Sequence, residues 1–294
     1  MTPITIAIAS GKGGTGKTFI STNLFNSLQD SGISLALVDC DAEAPNVREF
    51  IKEGSLERIK KVSQKVPVID KNQCTYCGKC DEYCNFNAIF FLEEPPIIRV
   101  LEELCHACGA CSVACEYGAI TEKDDLLGYV NQFRFPNGNQ LIEGRMEVGV
   151  HVAIQIIKES VKLSKSSNLV LLDSPPGTGC PFVQTVYLSD YVILVTEPTP
   201  FGLSDLKQSV AILRDMNIPY SVIINRSDMG TDETREYLEK ENIPLLMTFP
   251  FDREIAVTYS KGELVTSLNQ DWKFKFKDLY HKIEEQLKVN NLLK

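Results

Sequence analysis

The strongest restriction on the fold comes from a glycine-rich segment near the start of the chain. Residues 11–18 read Gly-Lys-Gly-Gly-Thr-Gly-Lys-Thr, after the apolar run Ile4–Ala9 and before the helical pattern Phe19–Leu28. The segment matches G-x-x-x-x-G-K-[ST], in which backbone N–H groups and a helix N-terminus surround phosphate oxygens, Lys17 serves the β/γ-phosphates and Thr18 serves Mg²⁺. A strand, a phosphate-binding loop and a helix are therefore predicted in succession. The alternative is a glycine-rich turn that holds no ligand.

The bulk composition limits the class of protein. With 294 residues and 44% hydrophobic content, the chain can bury a core as one large domain or as one domain with an insert. Its net charge of −9, without an arginine-rich tract, argues against nucleic acid as a partner. The N-terminal apolar run is too short for a secretion signal, and no later run approaches the length of a membrane span. We therefore expect a cytoplasmic protein.

Acidic residues follow two further apolar runs. Ser34–Asp39 is predicted to be a buried strand, and Asp41 comes two residues after its end. Leu169–Leu172 suits a central parallel strand, and residues 173–179 read Asp-Ser-Pro-Pro-Gly-Thr-Gly. Carboxylates at these strand ends point to the ligand crevice of an open α/β sheet, where Asp173 fits a Walker-B or switch element that holds Mg²⁺. A solvated acidic turn and an ordinary proline-rich turn are the alternatives.

Eight of the ten cysteines lie in two tight groups. Each group has the spacing C-x₂-C-x₂-C-x₃-C, and the second repeats the first at an offset of 31 residues. Metal ligation explains such groups better than disulfides in a chain expected inside the cell. Three thiolates at this spacing can face one cluster while the fourth points away, so each group can donate its last cysteine to the other group's cluster. The two groups are Cys74, Cys77, Cys80 and Cys84, and Cys105, Cys108, Cys111 and Cys115.

Soft thiolates in sets of four suit iron–sulfur clusters, and two [4Fe–4S] clusters are predicted. The stretch resembles a bacterial two-cluster ferredoxin, although Asn85 and Glu116 replace the proline that usually follows the fourth cysteine. Zinc is the alternative, but zinc modules need neither the third cysteine nor the x₃ spacing. The predicted ligands are Cys74, Cys77, Cys80 and Cys115 for the first cluster, and Cys105, Cys108, Cys111 and Cys84 for the second.

The remaining cysteines, Cys40 and Cys180, are predicted to be buried small residues. A metal or disulfide contact of Cys180 across a dimer is the alternative.

Composition also divides the chain. Cysteines concentrate and helical periodicity fades between residues 62 and 123, which we interpret as a small α+β ferredoxin domain. Residues 1–61 and 124–294 are predicted to form one α/β domain, a doubly wound and mostly parallel sheet. Asn137-Gly138 between apolar runs predicts a hairpin that joins the insert back to this domain.

Together these motifs resemble MinD/Mrp-type P-loop ATPases, a class that includes the nitrogenase iron protein, with an inserted ferredoxin domain. Residues 12–18 look like the deviant P-loop of that class, and residues 173–179 look like its D-x-P-P-G-T-G signature. The resemblance implies that Lys12 reaches the nucleotide of a partner subunit. It also implies that Asp41 orients the attacking water and that Asp39 supports the Mg²⁺ shell.

The resemblance extends to the base-binding side of the site. Asn225 and Arg226, at the end of a predicted strand, are expected to contact adenine, with a surface turn as the alternative. The backbone at Pro250 to Asp252 is a further adenine candidate. The expected catalytic residues are Lys12, Lys17 and Asp41. The expected nucleotide-binding residues are Gly11, Gly13, Gly14, Thr15, Gly16, Lys17, Thr18, Asn225, Arg226 and Pro250, and the expected Mg²⁺ residues are Thr18, Asp39 and Asp173.

The resemblance implies an iron–sulfur ATPase that slowly hydrolyses MgATP to ADP and is stimulated by a partner. We expect a nucleotide-dependent homodimer, or a heterodimer with a related ATPase, that passes electrons through its clusters to or from a redox or metallocofactor protein. An iron–sulfur scaffold or carrier and a MinD-like positioning protein are the alternatives. The second would bind lipid through the apolar stripe within Trp272–Leu287. Packing of that stripe against the sheet is favoured, and no membrane contact is expected.

Overall fold

The computed structural model describes residues 3–293, which divide into two compact units. The first contains the chain up to Lys60, Tyr129–Arg145 and the chain from Ile156 onward; the second contains Lys61–Gly128 and Met146–Gln155. The strands are β1 Ile4–Ala9, β2 Leu35–Asp39, β3 Ser55–Ile69, β4 Ile89–Leu92, β5 Ile97–Val100, β6 Ile120–Arg134, β7 Gln140–Met146, β8 Leu169–Asp173, β9 Tyr191–Thr196, β10 Tyr220–Asn225 and β11 Leu245–Phe249. The helices are α1 Lys17–Leu28, α2 Val47–Phe50, α3 Lys79–Glu82, α4 Ala110–Ala114, α5 Ile154–Ser164, α6 Cys180–Tyr187, α7 Pro200–Asp215, α8 Glu233–Lys240, α9 Arg253–Ser260, α10 Val265–Leu268 and α11 Gln270–Val289, with a 3₁₀ turn at Glu102–Leu104.

The first unit is built on a large sheet with the strand order β11-β10-β9-β1-β8-β2-β7-β6-β3. Strand β1 pairs in parallel with β8 and β9, and β2 pairs in parallel with β8 and β7. Every residue of β2, β8 and β9 is buried, as is usual for parallel strands that are covered on both faces. The mostly parallel α/β sheet expected from the sequence is thus confirmed.

Strand register brings the acidic residues to one edge of this sheet. Asp39 and Asp173 are the last residues of β2 and β8 and are direct partners in the ladder, and Ile8 of β1 is the other partner of Asp173. Because the carboxyl ends of these parallel strands meet at one edge, the loop that follows β1 lies beside both carboxylates.

The hairpin predicted at Asn137-Gly138 forms between β6 and β7. The Phe135 N–H donates to the Asn139 carbonyl at 2.9 Å, and the Gly138 N–H donates to the Phe135 carbonyl at 2.9 Å. Gly138 has a φ of 87°, a left-handed conformation that glycine adopts without steric cost. Strand β7 then pairs in parallel with β2, so the hairpin belongs to the large sheet and is more than a connection. Sequence did not reveal this because the pairing is long-range.

The C-terminal helix α11 packs into the core of the first unit. Phe276, Leu279 and Ile283 are fully buried against α1 and β11. Phe19 makes edge-to-face contacts with Phe249 and Phe276, at ring-centroid distances of 5.9 and 5.7 Å. Burial of each such side chain contributes about 1.5–3 kcal/mol, so the apolar stripe of α11 stabilises the core. Within residues 3–293, none of the helices combines the length and apolar character that crossing a bilayer requires.

The second unit repeats one local conformation. Tyr76 and Ala107 lie two residues after the first cysteine of each group and have φ values of 57° and 52°. Gly78 and Gly109 follow, with φ values of 75° and 74°, and each precedes a short helix, α3 or α4. The N–H groups of Tyr76 and Ala107 each donate to the sulfur of the cysteine two residues earlier, at 3.4 Å in both cases. The sequence repeat is therefore also a repeat of backbone geometry.

Candidate functional site

The glycine loop combines left-handed backbone with close packing. Gly14 and Gly16 have φ values of 77° and 102°, which non-glycine residues adopt only at a cost. A Cβ on Gly16 would lie 2.4 Å from Asn225 Nδ2, and one on Gly11 would lie 2.5 Å from the Asp205 carbonyl oxygen. Larger residues at these two positions would displace their neighbours.

Lys17 is held at the base of the loop. Its side chain is buried, and its Nζ donates to Ser10 Oγ at 3.0 Å and to the Lys12 carbonyl at 3.3 Å. Burial lowers the pKa of Lys17, while the negative charges of Asp173 and Asp41 act in the opposite direction. An ammonium group in this position adds charge to a loop of backbone N–H groups, an arrangement suited to phosphate oxygens.

A cavity of about 530 Å³ opens beside the loop, within the usual range of small-molecule sites. Most of the predicted nucleotide-site residues line it, but Gly11, Lys12, Thr15 and Asp39 do not. The lining residues are Gly13, Gly14, Gly16, Lys17, Thr18, Phe19, Asp41, Asn46, Asp173, Ser174, Pro176, Asn225, Arg226, Pro250, Phe251, Asp252, Ile255, Ala256 and Tyr259.

Asp173 and Thr18 form the polar floor of the cavity. The Thr18 hydroxyl donates to Asp173 Oδ2 at 2.7 Å. The second oxygen, Asp173 Oδ1, is buried and has no hydrogen-bond partner among the described residues. Burial raises the pKa of Asp173 to about 6, although the Thr18 hydroxyl and Lys17 act to lower it. A buried acceptor without a partner costs free energy unless a ligand satisfies it.

Asp39 does not line the cavity but organises the next loop. Its Oδ2 accepts the N–H groups of Asn46 at 2.9 Å and Val47 at 3.0 Å, and its Oδ1 accepts the N–H of Asp41 at 3.1 Å. Complete burial raises the pKa of Asp39 well above its usual value, and the charge of Asp173 raises it further. Asp39 therefore shapes the loop that carries Asp41, and its place in a Mg²⁺ shell stays a prediction.

Asp41 faces the cavity itself. Its Oδ1 accepts the Ala44 N–H at 3.3 Å, and the side chain is only partly buried. Burial raises the pKa of Asp41, while the Ala44 N–H and the charge of Lys17 lower it. A carboxylate in this position can accept a hydrogen bond from a water molecule in the cavity.

Asn225 and Arg226 also line the cavity. Asn225 Nδ2 donates to the Thr15 carbonyl at 2.8 Å, which ties the end of β10 to the glycine loop. Thr15 itself is buried, and its hydroxyl has no partner within the described part of the chain. Arg226 has a φ of 51°, unusual for a residue with a side chain.

Sequence reasoning missed one wall of the cavity. Ile255, Ala256 and Tyr259 lie on α9 and line the cavity together with Pro250, Phe251 and Asp252. Burial raises the pKa of Tyr259 to about 12. Only the expected adenine contact of the backbone at Pro250 to Asp252 pointed to this region, because no short motif marks a helix that reaches the site through tertiary packing.

Lys12 lies outside the cavity and contacts its own chain. Its Nζ is 3.5 Å from Glu197 Oε2, while Arg226 Nη1 is 2.5 Å from Glu197 Oε1. Glu197 follows β9 and is buried. Sequence reasoning assigned it no role, yet its carboxylate contacts both the loop lysine and the base-side arginine.

Cysteines surround two small cavities in the second unit. Each cavity takes three cysteines from one group and the last cysteine from the other. Among residues 3–293, no three His, Cys, Asp or Glu side chains converge closely enough to hold a single metal ion. The first cavity is lined by Cys74, Cys77, Cys80 and Cys115, and the second by Cys84, Cys105, Cys108 and Cys111.

The two other cysteines differ in exposure. Cys40 is buried, and burial raises the pKa of its thiol well above the usual value. Cys180 is exposed, so the prediction that it is a buried small residue is wrong. It is the first residue of α6 and directly follows the proline-rich loop, so it lies outside the buried strands of the sheet.

Comparisons with known proteins extend over most of the chain. The profile of the CbiA family, described as the CobQ/CobB/MinD/ParA nucleotide binding domain, matches residues 6–265. An uncharacterized protein of Methanocaldococcus jannaschii is 33% identical over 283 residues, which cover 95% of each chain. The iron-sulfur cluster carrier protein of Aquifex aeolicus is 24% identical over 289 residues, which cover 90% of this chain and 62% of that protein.

Two solved structures share the fold. The MinD cell division protein of Aquifex aeolicus has a TM-score of 0.56 and 16% identity, covering 96% of this chain and 97% of that one. The septum site-determining protein MinD of Pyrococcus horikoshii, complexed with Mg-ADP, has a TM-score of 0.56 and 19% identity, covering 98% of both chains. These likenesses show the fold alone. The profile match and the 33% identical relative show more: the chain belongs to the CobQ/CobB/MinD/ParA family of nucleotide-binding proteins.

Proposed function

We propose that the protein binds MgATP in the cavity of the first unit and hydrolyses it. The main support is Asp173 Oδ1, a buried oxygen without a partner next to the Thr18 hydroxyl. Carboxylate and hydroxyl oxygens are the ligands that Mg²⁺ prefers, so Thr18 and Asp173 fit this ion. Mg²⁺ held there supplies positive charge to the transferred phosphoryl group. The fold relative from Pyrococcus horikoshii, complexed with Mg-ADP, is consistent with this ligand.

In this proposal the other residues around the cavity bind the phosphates, the base and the attacking water. The N–H groups of the glycine loop and the Lys17 ammonium bind the phosphates. Asn225, Arg226 and the backbone near Pro250 bind the base. Asp41 accepts a hydrogen bond from the attacking water and orients it toward the γ-phosphate.

Lys12 completes the site of a second subunit in this proposal. Its side chain contributes nothing to its own cavity, because it contacts Glu197 instead. A cation supplied in trans to the transferred phosphoryl group is worth about 10³–10⁵ in turnover, as it is for an arginine finger. The active form is therefore a nucleotide-dependent dimer, either of two copies or of this chain with a related ATPase.

We further propose that the second unit holds two [4Fe–4S] clusters. The support is the grouping of four thiols around each cavity, together with N–H groups that donate to the sulfurs of Cys74, Cys84 and Cys105 at 3.3–3.4 Å. Such hydrogen bonds tune the reduction potential of a cluster. Zinc fits less well, since zinc modules need neither the third cysteine nor the x₃ spacing of each group. Bound clusters would provide one-electron centres.

Joined in one chain, these sites suggest an ATPase whose nucleotide state controls electron exchange with a redox partner. Anaerobically purified protein should contain about eight iron atoms and eight acid-labile sulfides per chain. A pull-down with ADP or with a non-hydrolysable ATP analogue should retain a redox protein in only one nucleotide state. Protein without iron contradicts the cluster proposal, and protein that fails to bind adenosine nucleotides contradicts the ATPase proposal.

A second function, iron–sulfur cluster delivery, is supported by the relatives named iron-sulfur cluster carrier protein, at 24% identity, in Aquifex aeolicus and Pyrococcus horikoshii. A carrier has labile clusters, whereas an electron-transfer protein retains them. Mixing the protein with an apo-ferredoxin and a chelator separates these functions. Transfer of the clusters to the acceptor favours delivery, and clusters that persist favour electron transfer. Burial of the apolar stripe of α11 leaves lipid binding without comparable support.

A further inference from the structure

We propose that Glu197 is a positioning residue whose ion pair with Lys12 holds this lysine against its own chain in the nucleotide-free monomer. Pairing of Glu197 with Arg226 weakens the contact with Lys12, so that the lysine can be released. The assignment rests on the function proposed above, because it describes how the trans-acting lysine is controlled. It involves three residues that lie far apart in sequence, at the glycine loop, the end of β9 and the end of β10.

The Glu197 carboxylate is well placed for this task because it is buried and contacts two cations. The residue is 8% exposed, and its two oxygens face different partners. Oε1 contacts Arg226 Nη1 at 2.5 Å, and Oε2 lies 3.5 Å from Lys12 Nζ. A buried carboxylate needs such compensation, since an unpaired buried charge is strongly destabilising.

The two contacts differ in geometry. Arg226 Nη1 donates a hydrogen bond to Glu197 Oε1, whereas Lys12 Nζ lies 3.5 Å from Oε2, beyond the usual length of a hydrogen bond, and both cations are partly exposed. Lys12 can therefore leave while Glu197 stays paired with Arg226, so its release creates no unpaired buried charge. Partly exposed ion pairs of this kind change an equilibrium by up to about 5-fold. The contact restrains Lys12 without locking it.

Two substitutions are expected to act in opposite directions. Glu197→Gln removes the negative charge and frees Lys12, while the glutamine oxygen can still accept a hydrogen bond from Arg226. Arg226→Gln removes the competing cation, so that Glu197 holds Lys12 more tightly. If Glu197 only stabilised the fold, the reactivity of the Lys12 amine would not change in opposite directions in the two variants.

The first test measures how fast Lys12 reacts with an amine-specific acylating reagent in the nucleotide-free, full-length protein, by mass spectrometry. We expect labelling of Lys12 to rise about 2–5-fold in Glu197→Gln and to fall in Arg226→Gln. Lys17 is the internal reference, because it is buried and bonded to Ser10 and should stay protected in a folded variant. Glu241→Gln is the matched control, since Glu241 pairs with Arg214 at 2.8 Å elsewhere on the surface.

The second test measures the dissociation constant of the dimer by sedimentation at a saturating concentration of a non-hydrolysable ATP analogue. Each dimer releases two lysines, so Glu197→Gln should tighten it by up to about 25-fold. Lys12 labelling that is the same in the wild type and both variants overturns the inference. A wild-type chain that stays monomeric with every nucleotide overturns the proposed dimer, and the labelling result then decides separately whether Glu197 holds Lys12.

Discussion

Asp173 carries a charge that the ligand-free protein accommodates poorly. It is buried, one of its oxygens lacks a partner among the described residues, and burial raises its pKa to about 6. This folded-state pKa lies above the usual value of about 3.9 for an unfolded chain. The folded protein therefore binds the Asp173 proton more tightly, and this residue's contribution to stability decreases as pH rises from about 4 to 6.

Asp173→Asn should separate stability from activity. We expect the nucleotide-free, Mg²⁺-free variant to melt at a higher temperature than the wild type at pH 7.5, because the buried charge is gone. The difference should shrink toward pH 4.5, where Asp173 is protonated in the wild type. Hydrolysis of MgATP should fall by at least about 10²–10³-fold. Calorimetry and a phosphate-release assay measure both effects.

Asp278→Asn serves as the control for that experiment, since Asp278 lies on the surface of α11 and pairs with Lys282. It should change neither the melting temperature nor turnover appreciably. If the stability difference between the wild type and Asp173→Asn is the same at pH 4.5 as at pH 7.5, the raised pKa of Asp173 is contradicted.

Gly16 is the position in the glycine loop where a left-handed backbone and a close contact coincide. Gly16 combines a φ of 102° with a Cβ position 2.4 Å from Asn225 Nδ2, so Gly16→Ala should lower the free energy of unfolding by about 1–3 kcal/mol. A Cβ on Gly13 would meet only Pro176 Cβ at 3.8 Å, so Gly13→Ala is the matched control and should change stability little. Urea unfolding of the nucleotide-free variants gives the comparison. Equal losses of stability would contradict this account of the loop.

Each cluster should depend on the first three cysteines of one group and on the last cysteine of the other group. Because Cys115 lines the cavity of the first group and Cys84 that of the second, Cys115→Ser should remove the same cluster as Cys74→Ser. Cys84→Ser should instead match Cys105→Ser. Each variant should fall from about eight to about four iron atoms per chain, and electron paramagnetic resonance spectra of the reduced variants should sort into these two pairs. Spectra that sort by sequence group would contradict the exchange.

Turnover should depend on the association of two chains. If Lys12 acts in trans, Lys12→Ala should lower the rate of ATP hydrolysis about 10³–10⁵-fold in the dimer while leaving nucleotide affinity of the monomer nearly unchanged. Lys162→Ala, which removes an exposed lysine 3.8 Å from Glu159, is the control. Hydrolysis by Lys12→Ala at nearly the wild-type rate, measured over a range of protein concentrations, would exclude a catalytic role for this lysine.

Features that depend on neighbours in the chain were accessible from the amino-acid sequence alone. The order strand, glycine loop, helix follows from residues 4–28, and the continuous apolar runs before Asp39 and Asp173 identify central parallel strands. The doubled cysteine spacing likewise predicts which thiols share a group. Each of these signals is local, because glycine conformation, apolar periodicity and ligand spacing act over a few residues.

Contacts between distant residues required the folded chain. Asn225 bonds to the Thr15 carbonyl across 210 positions of sequence, and Glu197 meets Lys12 through the neighbouring strands β9 and β1. The α9 wall of the cavity and the exposure of Cys180 belong to the same class. No local pattern marks them, because strand order and helix packing decide which side chains meet, and those are properties of the assembled sheet.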